Sequence, residues 1–196
     1  MMCGASACNR AAQPAQGDSV MVEVRGPDGR LRLQLARAGD NFGDERLSWY
    51  AGPTQSGRLQ RLPNEAGTAS LQGSRVGVRR TQDGGLVLSR NGHAHLNVER
   101  RGHTLRLGNG DGFASGSIQR DGTTATLSGP SGNLQAKAEV KPSGVVVSDA
   151  NGAVLGSVVG KVGPEEALMA FVPALQPVEQ ALLLATDLPA TKLVKP

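Results

Sequence analysis

Residues 91–152 read NGHAHLNVERRGHTLRLGNGDGFASGSIQRDGTTATLSGPSGNLQAKAEVKPSGVVVSDANG. Glycine recurs about every ten residues in this stretch, and several of these glycines directly follow Asn or Asp. Asn-Gly and Asp-Gly supply the positive φ that two-residue hairpin loops require, and the segments between them carry Val, Leu, Ile or Thr at roughly every second position. The stretch therefore predicts a long antiparallel meander. The predicted turns contain Asn91, Gly92, Gly102, Asp111, Gly112, Asp121, Gly122, Gly132, Gly144, Asn151 and Gly152.

The same pattern begins further upstream, at Val20, where alternating valines precede a Pro-Asp-Gly turn at 27–29 and alternating leucines follow it. Residues 39–67 are less regular, and their strands are harder to place. From Val20 to Val162 we count about twelve to fourteen short strands. We predict a mainly β fold, an antiparallel meander closed into a barrel of about 12 strands. A β-sandwich capped by the C-terminal helices is the alternative.

After Gly163 the pattern becomes helical. Pro164 occupies a first-turn position and precedes two glutamates, which favours the start of a helix. Pro173 ends this helix, and a second one is predicted from Pro177 to Leu188. The second helix is apolar nearly all round, yet it is shorter than the about 20 residues of a membrane span, so we expect it to be buried in protein.

These patterns divide the chain into three predicted parts. We expect a truncated signal with a flexible tether at 1–19, a β-barrel domain at 20–162, and C-terminal helices with a tail at 163–196 that pack on or in the barrel.

The charge of the chain favours an anionic partner. The formal net charge is +4, and it arises chiefly from arginines scattered through the meander. Six of them cluster near strand ends and are the predicted contacts for an anionic lipid or an envelope protein: Arg79, Arg80, Arg90, Arg100, Arg101 and Arg120. Nucleic acid is not expected, because single-strand binding adds stacking aromatic residues and this region offers only Phe113. The alternative is an ordinary solvated surface.

Both cysteines lie within the first eight residues. The run Ala5-Ser6-Ala7-Cys8 resembles the lipobox of bacterial lipoproteins, in which small residues precede a cysteine that is diacylated and becomes the new N-terminus. Residues 9–18 resemble the polar tether that such proteins carry. The resemblance implies that Cys8 is lipidated and anchors the chain to a membrane. Asn9 resembles the residues that permit export to the outer membrane.

The stretch before Cys8 is shorter than the apolar region of about 7 to 15 residues in a signal peptide, so the resemblance implies a start codon further upstream. It also implies an outer-membrane lipoprotein that faces the periplasm of a bacterial envelope, with a cytoplasmic location as the alternative. Two other interpretations stay open: a disordered tail with incidental thiols, and a disulfide or metal pair between Cys3 and Cys8.

His93 and His95 form a His-x-His pair, a spacing used by several metal enzymes. His103 is predicted opposite about Glu99, roughly 13 Å along the strand from His95, which is too far for a shared metal ion. We therefore predict no metal and no cofactor, with His93 and His95 as the candidates should a site exist. The corresponding alternative is a metal-dependent enzyme that gathers these histidines with Asp83 or Glu99.

A many-stranded meander followed by an apolar helix resembles the tubby C-terminal-like barrels, which include LURP-one-related proteins and phospholipid scramblases. Residues 147–158 resemble the paired units of strand, Asp-x-x-Gly and strand in those families, and residues 179–185 resemble their central helix. The resemblance implies a closed barrel around the helix, with a lipid- or protein-binding role.

No catalytic constellation stands out in the sequence, so we do not expect an enzyme. Our leading hypothesis is a lipid-anchored envelope protein that acts as a binding or assembly module. The alternatives are a cytoplasmic tubby-like binding domain, in which Cys8 stays unmodified, and the metal-dependent enzyme described above.

Overall fold

The computed structural model describes residues 19–37, 47–51, 55–59, 67–71, 74–112 and 114–186. These residues form fourteen β-strands and two short α-helices. The strands are β1 (Ser19–Arg25), β2 (Leu31–Arg37), β3 (Leu47–Ala51), β4 (Gln55–Leu59), β5 (Gly67–Leu71), β6 (Ser74–Arg80), β7 (Leu86–Arg90), β8 (His93–Arg101), β9 (Thr104–Asn109), β10 (Ala114–Asp121), β11 (Thr124–Ser128), β12 (Leu134–Lys141), β13 (Gly144–Asp149) and β14 (Val154–Gly160). The helices are α1 (Pro164–Met169) and α2 (Pro177–Leu184).

The strands form one antiparallel sheet that curves into a nearly closed barrel. Strands that follow one another in the chain pair with each other, except that β4 and β5 are the two edges of the sheet. The first and last strands also pair, so that Val24 of β1 lies opposite Val158 of β14. The barrel prediction is confirmed, with fourteen described strands where about twelve were expected. The sandwich alternative is wrong, because the strands form a single sheet.

The turns between the strands use the glycines that the sequence singled out. Between β7 and β8, Asn91 has a φ of 52° and Gly92 a φ of 83°. One predicted turn residue is displaced: Lys141 pairs directly with Gly144, so the turn consists of Pro142 and Ser143. Gly144 instead allows a close approach of strands, since a Cβ added to it would lie 2.5 Å from the carbonyl oxygen of Val158.

The inner face of the sheet is aliphatic, with one tryptophan. Every second residue of a strand faces the interior, as Leu86 and Leu88 do in β7. Trp49 of β3 is fully buried and lies opposite Gly57 of β4. A Cβ added to Gly57 would lie 2.7 Å from Nε1 of Trp49, so the indole ring occupies the space that a side chain would need there.

The two helices lie inside the curve of the sheet. Helix α1 contacts β10 to β13, whereas α2 contacts β2, β3, β5 and β6 and therefore bridges both sides of the gap between the edge strands. The consecutive residues Ala181, Leu182 and Leu183 are all buried, so several faces of α2 are covered at once. The predicted burial of the second helix is confirmed. The helical segment packs in the barrel and not on its outside.

Both predicted helix starts are confirmed, at Pro164 and Pro177. The helices are shorter than predicted, since they end at Met169 and Leu184, and Pro189 lies outside the described residues. Within the described part of the chain, no helix has the length and apolar character needed to cross a membrane.

Candidate functional site

A buried ion pair joins α1 to the wall of the barrel. The guanidinium of Arg100 in β8 donates two hydrogen bonds to Glu165 in the first turn of α1, from Nη1 to Oε1 over 3.1 Å and from Nη2 to Oε2 over 2.9 Å. Only 9% of the Arg100 side chain and 4% of the Glu165 side chain are exposed. Parallel hydrogen bonds between charged groups are strong and directional, so this pair fixes where α1 begins.

A second ion pair holds α2. Arg90 in β7 donates from Nε and Nη2 to Oε1 of Glu179, over 3.2 and 2.7 Å. The other carboxylate oxygen of Glu179 accepts the backbone N–H of Gln176 over 2.7 Å and so satisfies a donor at the start of the helix. His95 lies near the same group, with its Nε2 4.0 Å from Oε1 of Glu179. We call these two contacts, Arg100 with Glu165 and Arg90 with Glu179, the anchoring pairs.

The anchoring pairs act from opposite ends of the barrel. Arg90 precedes the turn at 91–92, whereas Arg100 precedes the turn at 102–103, and these turns flank β8 on its two sides. Glu165 lies in the first turn of α1 and Glu179 in the first turn of α2, near the positive ends of the helix dipoles. In the structure each carboxylate also neutralises an arginine that faces the interior of the barrel.

The six predicted arginines fall into separate groups. Arg90 and Arg100 contact the glutamates of the helices. Arg79 is exposed on the outer face of β6, because its neighbour Val78 faces inward and side chains alternate along a strand. Arg120 donates from Nε to the carbonyl oxygen of Gly122 over 3.1 Å. The remaining two, Arg80 and Arg101, are exposed at strand ends. Contact of these six residues with an anionic partner stays a prediction.

The candidate metal residues are not brought together. His93 is exposed, and a β-bulge next to His95 interrupts the pairing of β8 with β7. Asp83 lies in the turn before β7, at the end of that strand opposite to His95, and it accepts a hydrogen bond from Thr81. The position predicted for His103 is wrong, because Arg101 pairs with Thr104 and His103 therefore lies in the turn itself. Among the described residues, no three His, Cys, Asp or Glu side chains are placed to hold a metal ion.

A groove of about 350 Å³ opens on the outer face of β8, β9 and β10. The turns at 108–112 and 129–132 bound it, and glycines at 108 and 116 contribute to its lining. We call it the outer groove. The polar side chains that line it are Asn97, Glu99, Arg101, Arg106 and Ser117.

Strand register explains how these side chains meet. Asn97, Glu99 and Arg101 alternate with inward-facing residues of β8 and therefore share its outer face. Glu99 lies opposite Arg106 of β9, and Arg106 lies opposite Ser117 of β10. Within the groove Arg101 donates from Nη2 to Glu99 over 3.3 Å, and both side chains are about half exposed or more, at 62% and 49%.

The sequence analysis did not select several of these residues. Arg106 was not among the arginines chosen as partner contacts, and Asn97 and Ser117 were not considered. Their signal is present in the sequence: polar residues at 97, 99 and 101 alternate with Leu96 and Val98. Pairing them with Arg106 requires the correct register of β8 and β9, and the prediction that placed His103 opposite Glu99 was wrong by three residues, because Glu99 pairs with Arg106.

Comparisons with protein-family models, with curated proteins and with solved structures found no match. Cys8 and its flanking residues lie outside the described part of the chain, so the lipobox resemblance is not tested by the structure.

Proposed function

We propose that this protein is a non-enzymatic binding module of a bacterial cell envelope, anchored to the membrane through a lipid on Cys8. The folded domain would stand at the end of the polar tether at 9–18 and present its outer face to a partner.

The observation that carries the proposal is the filling of the barrel by its own helices. Helices α1 and α2 pack into the interior and are held there by the anchoring pairs. Small barrels that bind a ligand in their interior leave room for it. When the interior is occupied by helices, a partner has to bind on the outer surface. The outer groove is a recess of the kind that a binding partner would use.

The charge of the chain supports the same proposal. Of the predicted contact residues, Arg79 and Arg101 lie on the outer face, where a basic surface attracts anionic partners at a range set by the salt concentration. Arg90 and Arg100 form ion pairs with the glutamates of the two helices inside the barrel. We therefore propose the outer face around β6 to β10 as the contact surface.

The lipid anchor can be tested by measuring the mass of the mature N-terminus. The gene, with its upstream in-frame codons, is expressed in a bacterial host, and the membrane fraction is analysed by mass spectrometry. We expect a diacylated N-terminal Cys8 that is lost in Cys8→Ser and retained in Cys3→Ser. An intact, unmodified N-terminus in the parent protein would rule out the anchor.

A second candidate is a cytoplasmic tubby-like domain that binds lipid or protein with Cys8 unmodified. The observation that favours it is the enclosure of the apolar α2 by the sheet, which is the arrangement that the resemblance implies. The same mass measurement separates the two candidates, since only the envelope protein carries the lipid.

A further inference from the structure

We propose that the outer groove binds a carboxylated, hydroxyl-bearing ligand of the uronic-acid class. This inference deepens the proposed function and rests on the protein being a binding module, although it does not depend on the lipid anchor. The groove has a volume of about 350 Å³, which lies at the small end of the range for small-molecule sites.

Arg106 supplies the main recognition group. It is exposed on β9 and lines the groove between Glu99 on one neighbouring strand and Ser117 on the other. Glu99 is engaged by Arg101, since their charged groups approach to 3.3 Å. The guanidinium of Arg106 has the planar fork that matches a carboxylate through two parallel hydrogen bonds.

The balance of charge selects the type of anion. The described residues that line the groove include two arginines and one glutamate, whose formal charges sum to +1. A carboxylate carries one negative charge and matches this balance. A phosphate monoester carries about two and would meet repulsion from Glu99.

The remaining polar groups are suited to hydroxyls. The side-chain amide of Asn97 donates to the carbonyl oxygen of Asn109 over 3.1 Å, which leaves its side-chain oxygen as an acceptor. Glu99 adds acceptor oxygens, and the Ser117 hydroxyl can donate or accept. Among the described residues that line the groove none is aromatic, so the recognition proposed here depends on their charges and hydrogen bonds.

The test is a titration of the full chain, made soluble by Cys3→Ser and Cys8→Ser, with sodium glucuronate at constant ionic strength. Glucose and inorganic phosphate serve as comparison probes. Binding is followed by NMR through the backbone amides of Gly108, Gly112 and Gly116, which line the groove. Arg106→Gln is compared with Arg58→Gln, which removes the same charge from the exposed face of β4, outside both the groove and the proposed contact surface. Thermal unfolding of both variants checks that they fold.

We expect saturable shifts with glucuronate, weaker binding of glucose and phosphate, and an affinity about tenfold lower in Arg106→Gln but unchanged in Arg58→Gln. In Glu99→Gln, phosphate should bind several-fold more tightly, because the like charge is removed. Three results would overturn the inference: no saturation, equal losses in the two arginine variants, or tighter binding of phosphate than of glucuronate by the parent protein. The lipid on Cys8 is measured separately, so failure of either proposal can be recognised on its own.

Discussion

Arg100 and Glu165 are 65 residues apart in the chain and form two parallel hydrogen bonds inside the barrel. Both side chains are almost completely buried. The charges of a buried ion pair add little net stability to the fold, because the loss of hydration offsets most of their attraction. Separating the two groups would leave a buried charge without its partner, which is costly. This cost holds the start of α1 at the end of β8.

Arg100→Gln should therefore destabilise the protein by about 3 kcal/mol, because it leaves Glu165 charged and buried without its partner. Urea denaturation followed by the fluorescence of Trp49 would measure the loss. Arg106→Gln, which removes an exposed arginine, is the matched control and should change stability by less than about 0.5 kcal/mol. The double variant Arg100→Met with Glu165→Gln should recover part of the loss. Equal effects of Arg100→Gln and the control would contradict the role of the pair.

Glu179 combines an ion pair with a helix cap, and two substitutions can separate these roles. Glu179→Gln keeps a side-chain oxygen that can accept the N–H of Gln176, whereas Glu179→Ala removes both contacts. We expect losses of about 1 kcal/mol for Gln and about 3 kcal/mol for Ala in urea denaturation. The loss for Gln stays small because 34% of the Arg90 side chain is exposed and can be hydrated. The exposed Glu139→Gln is the control. Similar losses for both Glu179 variants would mean that the cap contributes nothing.

Gly57→Ala should disturb the packing around Trp49. The added Cβ would lie 2.7 Å from Nε1 and 3.2 Å from Cε2 of a fully buried ring, so either the ring or β4 must move. We expect a loss of about 1 to 3 kcal/mol and a shift in the emission of Trp49, the single tryptophan of the chain. Ser56→Ala, next to it on the exposed face of β4, should leave both quantities unchanged. An unshifted emission in Gly57→Ala would show that the space is larger than the structure indicates.

Lys141 lowers the pKa of Glu139, first through a hydrogen bond of 2.6 Å and then through its charge. Lys141→Met should therefore raise the pKa of Glu139 toward its ordinary value, as measured by NMR titration of its side-chain carboxyl. Because the pKa is lowered by folding, the stabilisation from this pair is present above the unfolded pKa and is lost as the pH falls through the folded one. Lys137→Met removes a more weakly acting charge and should shift the pKa less. A larger shift with Lys137→Met would contradict this order.

The sequence predicted the barrel well because the information for it is local. Each hairpin depends on a turn such as Asn91 with Gly92 and on alternation within the flanking strands, so a few neighbouring residues suffice. The residues after Pro164 and Pro177 carry equally local helix signals. Residues 39–67 lacked these signals, yet β3 forms there by pairing with β2, which was already well specified, and β4 in turn pairs with β3.

The candidate site was harder to predict because its residues come from separate strands. Arg90 and Arg100 look like surface arginines in the sequence, since nothing near them reveals glutamates that lie 89 and 65 residues further on. The outer groove depends on register as well. A shift of one residue at the turn moves Arg106 from its place opposite Glu99, so the grouping becomes visible only when the pairing is known.

The order of strands has a consequence for a chain that emerges N-terminus first, whether from the ribosome or from an export channel. Most of the sheet pairs neighbours in sequence and can form as each hairpin emerges, but β1 must wait for β14. The helices that fill the interior follow β14 and emerge later still. The apolar inner face of the sheet is therefore uncovered until residues 164–184 have emerged, and it is in this interval that the chain is most exposed to aggregation and to capture by chaperones.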